Sequence, residues 1–320
     1  MTFFNTIPGS MMLLIIGFIF LVKGADFFVD GASNVAKRLK VPSLIIGLTI
    51  VSIGTSLPET AVSISAAMNG SNSLAISNVT GSNIFNLMVV VGVCALMQTI
   101  AVDKETIKRD IPLSLLAAIL MLVFGFTKNV LGLVEGLILF AVFVAYIITM
   151  IRSAMKSRKE SEENDATVSQ SVLMSIICIV GGAIGVAVGG NWVVSSASTL
   201  AMALGMTETL VGLTIVAVGT SLPELVTSVV AAKKNDVDMA LGNAIGSSIF
   251  NIFFVIGLSG IISPIAFIQA NVLDILVLIA FTILVWMLIV KDCKITRKKG
   301  FVMVFAYVAY MAYIIIRDMM

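Results

Sequence analysis

The chain has 320 residues, of which 59% are hydrophobic and 12% are charged, whereas soluble domains carry about 25% charged residues. Because so few polar groups could not cover a soluble surface, we predict an integral membrane protein that places much of its surface against the lipid bilayer. The net charge of +2 and the lack of long basic runs argue against a nucleic-acid partner. The absence of histidine excludes imidazole metal sites and Ser-His or Cys-His nucleophiles.

Apolar stretches of about 20 residues, the length that crosses a bilayer, follow one another along the chain. The ten stretches cover residues 11–29, 43–68, 74–98, 111–127, 129–151, 171–197, 207–232, 239–263, 272–290 and 300–316. They predict an all-α polytopic membrane protein with ten transmembrane helices. A polar segment of mixed charge divides them, so we predict a five-helix repeat over residues 1–151, a cytoplasmic linker over 152–170 and a second five-helix repeat over 171–320.

Basic residues indicate the orientation of these predicted spans. If the N-terminus lies outside the cell, seventeen of the 20 lysines and arginines fall in cytoplasmic loops. The positive-inside rule therefore predicts a multi-pass protein of the plasma membrane with both termini extracellular. Lys23 lies inside the first span, and Asp26 one turn further along is its expected partner.

The two halves resemble each other at an offset of 165 residues. The segment IGLTIVSIGTSLPE at residues 46–59 matches VGLTIVAVGTSLPE at 211–224 at 11 of 14 positions, and SNVTGSNIFN at 77–86 matches GNAIGSSIFN at 242–251. Because each half has an odd number of spans, the second half enters the membrane from the opposite side. Inverted repeats of this kind are common in secondary transporters, which bind substrate between the halves near the midplane.

Two glutamates occupy equivalent positions of the repeat. Glu59 and Glu224 lie near the middle of the second and seventh predicted spans, where a charged side chain costs at least about 2.5 kcal/mol. The pair therefore needs a compensating cation. Pro58 and Pro223 lack an N–H, so each helix is expected to bend or unwind next to its glutamate and to free backbone carbonyls as ligands.

Oxygen-bearing side chains follow one face of each of these helices and of the helix after it. They are Ser52, Thr55, Ser56, Ser63, Asn78, Ser82 and Asn86 in the first half, and Thr220, Ser221, Ser228, Asn243, Ser247 and Asn251 in the second. The set contains carboxylate, hydroxyl, amide and carbonyl oxygens and no nitrogen or sulfur ligand. Such hard ligands suit Ca²⁺ and Na⁺ rather than Zn²⁺ or Cu⁺.

The two GTSLPE segments have a family resemblance. Each is followed, 27 residues after its glutamate, by the asparagine of a GS-x-IFN segment. The pair resembles the repeats of the sodium/calcium exchangers in the cation/calcium exchanger superfamily. This resemblance implies a ten-helix inverted-repeat fold and Na⁺-driven Ca²⁺ exchange by alternating access. It further leads us to expect a transporter rather than an enzyme, with Ca²⁺ and Na⁺ as transported ions, no cofactor and no protein partner.

The resemblance also implies roles for individual residues. Glu59 and Glu224 would be the central Ca²⁺ ligands, shared with Na⁺, and Asn86 and Asn251 would line the middle of the cavity. The flanking Na⁺ sites would use the backbone carbonyls of Ser52, Thr55, Ala217 and Thr220 and the hydroxyls of Ser56, Ser82, Ser221 and Ser247. Members of the family that also move K⁺ often carry an aspartate at the position of Asn251, so the exchange is expected to be independent of K⁺.

Three Na⁺ per Ca²⁺ is the expected ratio. In a tenfold Na⁺ gradient each Na⁺ supplies about 1.4 kcal/mol, and one net charge crossing 100 mV adds about 2.3 kcal/mol. Two Na⁺ would therefore sustain only about a 100-fold Ca²⁺ gradient, whereas three would sustain about a 10⁴-fold gradient.

Three alternatives remain open at this point. The first is an H⁺/Ca²⁺ antiporter on the same fold, against which the hydroxyl-rich faces argue because hydroxyls coordinate Na⁺ and have little use in proton exchange. The second is an intramembrane enzyme with the glutamates as acid and base, although those roles need unlike environments. The third is a cation channel, which the broken helices disfavour.

Overall fold

The computed structural model of the chain describes residues 6–69, 72–128, 130–160, 171–206 and 211–319. The described chain is mostly α-helical, and short π-helical segments interrupt several of the helices. The elements in chain order are α1 (Ile7–Leu39), α2 (Ser43–Ile46), π1 (Gly47–Val51), α3 (Ser52–Thr55), α4 (Leu57–Met68), α5 (Asn72–Phe85), π2 (Asn86–Val90), α6 (Val91–Met97), β1 (Ile100–Ala101), π3 (Thr106–Asp110), α7 (Ile111–Lys128), β2 (Val130–Leu131), α8 (Leu133–Glu160), α9 (Val172–Ala203), π4 (Gly212–Val216), α10 (Ala217–Gly219), α11 (Leu222–Lys233), α12 (Val237–Phe250), π5 (Asn251–Ile256), α13 (Gly257–Ile262), β3 (Ile265–Ala266), α14 (Gln269–Ile289), β4 (Lys294–Ile295) and α15 (Arg297–Met319).

Helices of membrane-spanning length make up most of the chain, which confirms the prediction of a helical membrane protein. Within the described ranges eight helices are long and apolar enough to cross a bilayer, and the bent run from Ser43 to Met68 is a ninth candidate. The stretch predicted at 207–232 begins with residues 207–210, which lie outside the described residues. Helix α8 continues to Glu160, into the segment predicted as a linker, and residues 161–170 again lie outside the description.

The first helix is much longer than predicted. Helix α1 has 33 residues, not the 19 or so of the stretch 11–29. At 1.5 Å per residue it is about 50 Å long, well over the roughly 30 Å of a hydrocarbon core. The apolar stretch underestimates it because the helix continues beyond residue 29 through charged residues such as Asp30, Lys37 and Arg38. A helix of this length must tilt strongly or project from the membrane.

Four two-residue strands depart from the all-α prediction. Strand β1 pairs antiparallel with β4, and β2 pairs antiparallel with β3. Each pair joins a connection of the first half to one of the second. The sequence could not have predicted them, because alternation over two residues cannot be distinguished from chance. The prediction of a helical membrane protein is therefore confirmed, and the strand pairs are confined to the connections between the long helices.

Two helices form the centre of the molecule and carry the polar GS-x-IFN segments. One extends from Leu74 to Met97 through α5, π2 and α6, and the other from Val237 to Ile262 through α12, π5 and α13. In each of them 78% of the residues in the tested apolar segment are buried inside the protein, whereas in α1 the share is 33%. The remaining long helices surround this centre and present their apolar faces outward to lipid. The functional residues are thereby placed far from the lipid-facing surface.

Helices α1 and α9 pack against each other at glycines. A Cβ on Gly182 would lie 2.6 Å from the backbone nitrogen of Phe28, and a Cβ on Gly24 would lie 2.7 Å from that of Val186. No side chain fits in so small a space, so the two backbones are in direct contact. Close packing at small residues is the usual means of association in lipid, where apolar side chains gain little by leaving the bilayer.

We expect Gly182→Ala to destabilise the protein because its Cβ would press on the backbone of α1, an overpacking that typically costs about 1–3 kcal/mol. The neighbouring variant Gly181→Ala is a matched control, since a Cβ there meets no atom of the described chain within 4 Å. Thermal unfolding in detergent should show a lower midpoint for Gly182→Ala and an unchanged or higher one for Gly181→Ala. Equal midpoints would contradict the packing described here.

Candidate functional site

Two broken helices carry the glutamates. In the first half α3 ends at Thr55, Ser56 leaves helical geometry with φ −86° and ψ 11°, and α4 starts at Leu57 after a bend of 50°. In the second half Ser221, with φ −94° and ψ 7°, separates the preceding helical turn from α11. Each break lies two residues before a proline, whose missing N–H leaves a carbonyl of the preceding turn without its helical partner. The expected interruption of both helices is thus present.

Glu59 and Glu224 occupy the first turns of α4 and α11. Both side chains are 0% exposed. The positive end of a helix dipole favours a carboxylate at this position, which reduces the cost of burial without removing it. Within the described part of the chain, Oε2 of each glutamate has no hydrogen-bond partner.

Hydroxyls from both halves surround Glu224. Ser56, at the break of the first half, donates a hydrogen bond to Oε1 of Glu224 at 2.8 Å. Ser247 of α12 lies 3.5 Å from the same oxygen and 3.5 Å from the backbone carbonyl of Ser52. We call Glu224, Ser56, Ser247 and the Ser52 carbonyl the Glu224 cluster.

The equivalent residues surround Glu59. Oε1 of Glu59 lies 3.4 Å from Oγ of Ser82 and 3.5 Å from Oγ of Ser221, and the two hydroxyls are 2.8 Å apart. We call these three residues the Glu59 cluster. In both clusters the glutamate of one half faces the serine at the helix break of the other half, so neither half builds its cluster alone.

Several buried oxygens near the clusters have no hydrogen-bond partner in the described chain, although buried polar groups are normally paired. They are Oε2 of Glu59, Oε2 of Glu224, Oδ1 of Asn86, Oδ1 of Asn251 and Oγ1 of Thr220. Leaving such a group unpaired costs about 1–3 kcal/mol, so together they form a strong set of acceptors. Their chemistry suits a hard cation such as Ca²⁺ or Na⁺.

The described residues contain no group of three or more His, Cys, Asp and Glu side chains that could hold a metal ion. The two glutamates are therefore the charged ligands available at these clusters, and the other candidate ligands are neutral oxygens. A cation bound there would be balanced by two carboxylates rather than by three or four. The smaller number of charged ligands suits an ion that must be released again.

Asn86 and Asn251 each begin a π-helical segment, π2 and π5. Such segments are frequent at functional sites. Nδ2 of Asn251 donates to Oδ1 of Asn83 at 3.2 Å, and Nδ2 of Asn83 donates to the carbonyl of Ser248 at 3.0 Å. Asn83 therefore fixes the amide of Asn251 with its nitrogen engaged and its oxygen free.

Sequence reasoning missed Asn83. Its position in the repeat is occupied by Ser248 in the second half, so it did not stand out among residues that are identical in both halves. The available indication was a polar side chain between two expected ligands, Ser82 and Asn86.

Asn78 and Asn243 have another role than the expected one as ligands. Nδ2 of Asn78 donates to Oγ of Ser63 at 3.0 Å, and Nδ2 of Asn243 donates to Oγ of Ser228 at 2.9 Å. The same nitrogens contact the backbone carbonyls of the two glutamates at 3.4 and 3.3 Å. These amides hold each broken helix against the helix that follows it.

The threonines before the breaks differ between the halves. Oγ1 of Thr55 donates to Oδ1 of Asn243 at 3.0 Å, whereas the hydroxyl of Thr220 has no partner among the described residues. Ala217, expected to supply a carbonyl, begins α10, and its side chain lies outside the described residues.

This difference extends to the packing of the broken helices. A Cβ on Gly246 would lie 2.7 Å from Cα of Leu48, so the first broken helix is in close contact with α12. At the equivalent Gly81 a Cβ would meet no atom of the described residues within 4 Å, and the side chain of Leu213, which corresponds to Leu48, lies outside the description. On this looser side a cavity of about 500 Å³ borders on Thr220 and Pro223.

An ion-pair cluster lies on the tightly packed side. Nζ of Lys234, in the turn between α11 and α12, is 2.6 Å from Oδ1 of Asp26 and 2.7 Å from Oδ1 of Asp30. Burial disfavours the charged lysine, but hydrogen bonds to the two aspartates outweigh it and raise the pKa of Lys234. The expected pairing of Asp26 with Lys23 is corrected accordingly: the contact runs between helices because Lys234 approaches α1 from the other half.

Comparisons with known proteins agree with this arrangement. The sequence model of the family described as "Sodium/calcium exchanger protein" matches residues 9–152 and 174–316. Sodium/calcium exchanger MaX1 of Methanosarcina acetivorans is 33% identical over 95% of this chain and 98% of its own length. A putative antiporter, CaxA of Alkalimonas amylolytica, is 35% identical over 94% of this chain and 97% of its own.

Solved structures of the sodium-calcium exchanger NCX_Mj are also similar. One, soaked with 2.5 mM Na⁺ and 10 mM Sr²⁺, has a TM-score of 0.84 and 32% identity, and the match covers 96% of this chain and 99% of that one.

We expect Ca²⁺ to stabilise the purified protein against thermal unfolding, by about 2.7 kcal/mol at a concentration 100 times the Kd. Glu59→Gln and Glu224→Gln should each lose most of this stabilisation, because the amide keeps the shape of the side chain and removes one charged ligand. Glu105→Gln is the control, since its side chain is 66% exposed. A full Ca²⁺-induced shift in either buried variant would contradict the assignment.

Proposed function

Because the chain belongs to the family of sodium/calcium exchanger proteins, we propose that it is an electrogenic antiporter exchanging about three Na⁺ for one Ca²⁺, independently of K⁺. The observation that carries the proposal is the pair of fully buried glutamates, each facing a serine of the opposite half and each retaining an oxygen without a partner among the described residues. The solved sodium-calcium exchanger with which this fold agrees supports the same two ions.

Glu59 and Glu224 bind Ca²⁺ between the two clusters in this proposal. One Ca²⁺ neutralises both carboxylates, whereas three Na⁺ leave a net charge of +1. Serine hydroxyls of the clusters and carbonyls before the breaks, from Ser52 to Thr55 and from Ala217 to Thr220, complete the Na⁺ sites. Asn86 and Asn251 face the ion with neutral amide oxygens.

The proposed architecture is ten transmembrane helices in two inverted five-helix repeats. Equivalent contacts in the two halves support it: the Asn78–Ser63 hydrogen bond corresponds to the Asn243–Ser228 bond. The strand pairs correspond as well, since adding 165 to the position of β1 gives β3, and adding it to β2 gives the region of β4.

The difference between the halves supports alternating access as the mechanism. We place the protein in the plasma membrane with both termini extracellular. In this orientation the tightly packed side around Leu48 and Gly246 faces the cytoplasm. The looser side, with the cavity that borders on Thr220, faces outward. Ions thus enter from outside in this conformation, and the opposite conformation would pack Gly81 and open Gly246.

Proteoliposome transport tests the proposal and its main rival. We expect ⁴⁵Ca²⁺ uptake into vesicles loaded with Na⁺, accelerated when a K⁺ diffusion potential makes the interior positive, because each Ca²⁺ that enters is exchanged for three positive charges that leave. Uptake in choline-loaded vesicles should be negligible, and replacing external K⁺ by choline at zero potential should change nothing.

Uptake driven by a pH gradient and indifferent to Na⁺ would instead support H⁺/Ca²⁺ exchange. Uptake without any opposing gradient, at channel rates, would contradict an antiporter. A Ca²⁺ uptake rate that does not depend on the membrane potential would contradict the ratio of three Na⁺ per Ca²⁺. A strict requirement for K⁺ would contradict the K⁺ independence inferred from Asn251.

A second prediction concerns Asn83. Asn83→Ala frees the amide of Asn251 to rotate and leaves the carbonyl of Ser248 unpaired. Without the fixed orientation of this amide, Ca²⁺ binding should weaken by about 1–2 kcal/mol. The half-saturating Ca²⁺ concentration should then rise about 5- to 30-fold, with smaller effects on the maximal rate. Asn69→Ala serves as the control because its side chain contacts the exposed Ser65. Unchanged Ca²⁺ dependence in Asn83→Ala would show that Asn251 needs no such support.

A further inference from the structure

Lys234 connects the turn after α11 to α1. Its Nζ lies 2.6 Å from Oδ1 of Asp26, 2.7 Å from Oδ1 of Asp30 and 3.1 Å from the backbone carbonyl of Asp26. An ammonium group has three donors, so α1 supplies an acceptor for each of them. A cavity of about 650 Å³ borders on Asp30 and Lys234. Water therefore reaches the ion pairs, and they can separate without leaving a charge in an apolar medium.

The cavity of about 500 Å³ that borders on Thr220 lies between α9 and the two broken helices. We call it the α9 cavity. Its lining includes Val216, which is 41% exposed, and Val62, which is 38% exposed. Their equivalents at the offset of 165 are Val51 and Thr227, and both are 0% exposed. We call the equivalent space beside α1 the α1 passage, and it is closed at these two residues.

The hydroxyl of Thr227 gives separate evidence for the α1 passage. It is buried and has no hydrogen-bond partner among the described residues, although buried polar groups are normally paired. The equivalent Val62 is apolar, so the repeat by itself does not require a hydroxyl at this position. Water or an ion entering an open α1 passage would supply the missing partner.

Asp26 relates Lys234 to this passage. Its equivalent in the second half is Asn191, which lines the α9 cavity, so Asp26 would line the α1 passage when that passage is open. Lys234 binds the same carboxylate while the passage is closed. The ion pairs have no charged equivalent on the α9 side, because the three corresponding positions hold Asn69, Asn191 and Ser195.

We propose that Lys234 is a one-sided latch, which holds the α1 passage closed by fixing α1 to the turn after α11 and must leave Asp26 and Asp30 before the passage opens. The inference rests on the proposed exchange, in which the α1 passage leads to the cytoplasm. Lys234 lies outside both glutamate clusters. It is therefore a positioning residue, which sets the ratio of the two conformations and leaves the ion ligands unchanged.

Thiol labelling of the full-length protein in sealed membrane vesicles of known orientation tests the latch without relying on transport. Thr227→Cys reports on the α1 passage and Val62→Cys on the α9 cavity, each in a Cys293→Ser background that keeps the two buried native cysteines. A membrane-impermeant maleimide is added to the cytoplasmic face for the first and to the external face for the second.

We expect Lys234→Gln to raise the labelling rate of Thr227→Cys about 3- to 20-fold, because two partly exposed ion pairs are lost. Val62→Cys should show at most a small decrease. Equal labelling of Thr227→Cys with and without Lys234→Gln would overturn the latch. An equal rise at both reporter positions would overturn it as well, since it would indicate a general loosening of the protein.

Further variants separate charge from shape. Lys233→Gln is the matched control because it removes the same charge from the adjacent exposed residue, and it should leave both labelling rates unchanged. Lys234→Arg should keep the slow rate, since a guanidinium can bridge two carboxylates. Lys234→Glu should open the passage, and adding Asp30→Lys should close it again because the exchanged charges still attract each other. Absence of this rescue would show that the side chain only fills space.

Transport gives a second readout. Apparent affinity scales with the fraction of protein in the binding-competent conformation, so Lys234→Gln should lower the half-saturating Ca²⁺ concentration on the cytoplasmic face by about 3- to 20-fold. On the external face that concentration should rise only slightly, whereas misfolding would lower the maximal rate on both faces. A labelling shift in vesicles without Na⁺-dependent Ca²⁺ uptake would support the latch and overturn the proposed function.

Discussion

The burial of two carboxylates in one interior is the constraint on which the rest of this structure depends. Helix N-termini favour Glu59 and Glu224, and serines donate to them, but these groups are neutral and cannot cancel two charges in a medium of low dielectric constant. A bound cation can, and so can protonation, which is the basis of the H⁺/Ca²⁺ alternative. In the proposed exchange, an interior that is costly without a cation would not readily change conformation while the ions are absent, and the same cost would couple the departure of one ion to the arrival of another.

In the proposed exchange, the duplication seen in the sequence would allow one such interior to serve two sides of the membrane. Among the described residues, the bond between Thr55 and Asn243 has no counterpart between Thr220 and Asn78, and the tight contact at Gly246 has no counterpart at Gly81. Because the equivalent residues are present in both halves, the opposite conformation could break these contacts and form the same kinds of contact between their counterparts. The two conformations of the proposed exchange would nevertheless differ in energy. The ion pairs of Lys234 have no charged equivalent, since the corresponding positions hold Asn69, Asn191 and Ser195.

The sequence predicted those parts of the molecule that depend on composition, spacing and repetition. The apolar stretches located the described spans, the prolines located both breaks, and the repeat identified Glu59 and Glu224 as a pair. It failed where a contact joins residues far apart in the chain. The 33-residue length of α1 is set by packing on α9, the partner of Asp26 comes from position 234, and the strand pairs join connections of different halves. Asn83 escaped notice for a related reason, because its role depends on Asn251 and Ser248 across the interface and breaks the symmetry of the repeat.

That broken symmetry bears on the charge of the ion site. Asn83 occupies the nitrogen of Asn251, so the side chain at position 251 presents a neutral oxygen in a fixed direction. An aspartate in its place has no N–H to donate to Oδ1 of Asn83, so Asn83 would have to turn its amide and give up its bond to the Ser248 carbonyl in order to donate to the carboxylate. The charge of the proposed ion site would at the same time rise from −2 to −3. One more positive charge would then be required to reach the same electrostatic balance, and a further monovalent cation is the simplest way to supply it. In the proposed exchange, the choice between amide and carboxylate at this one position would thus change the number of ions without a change of fold.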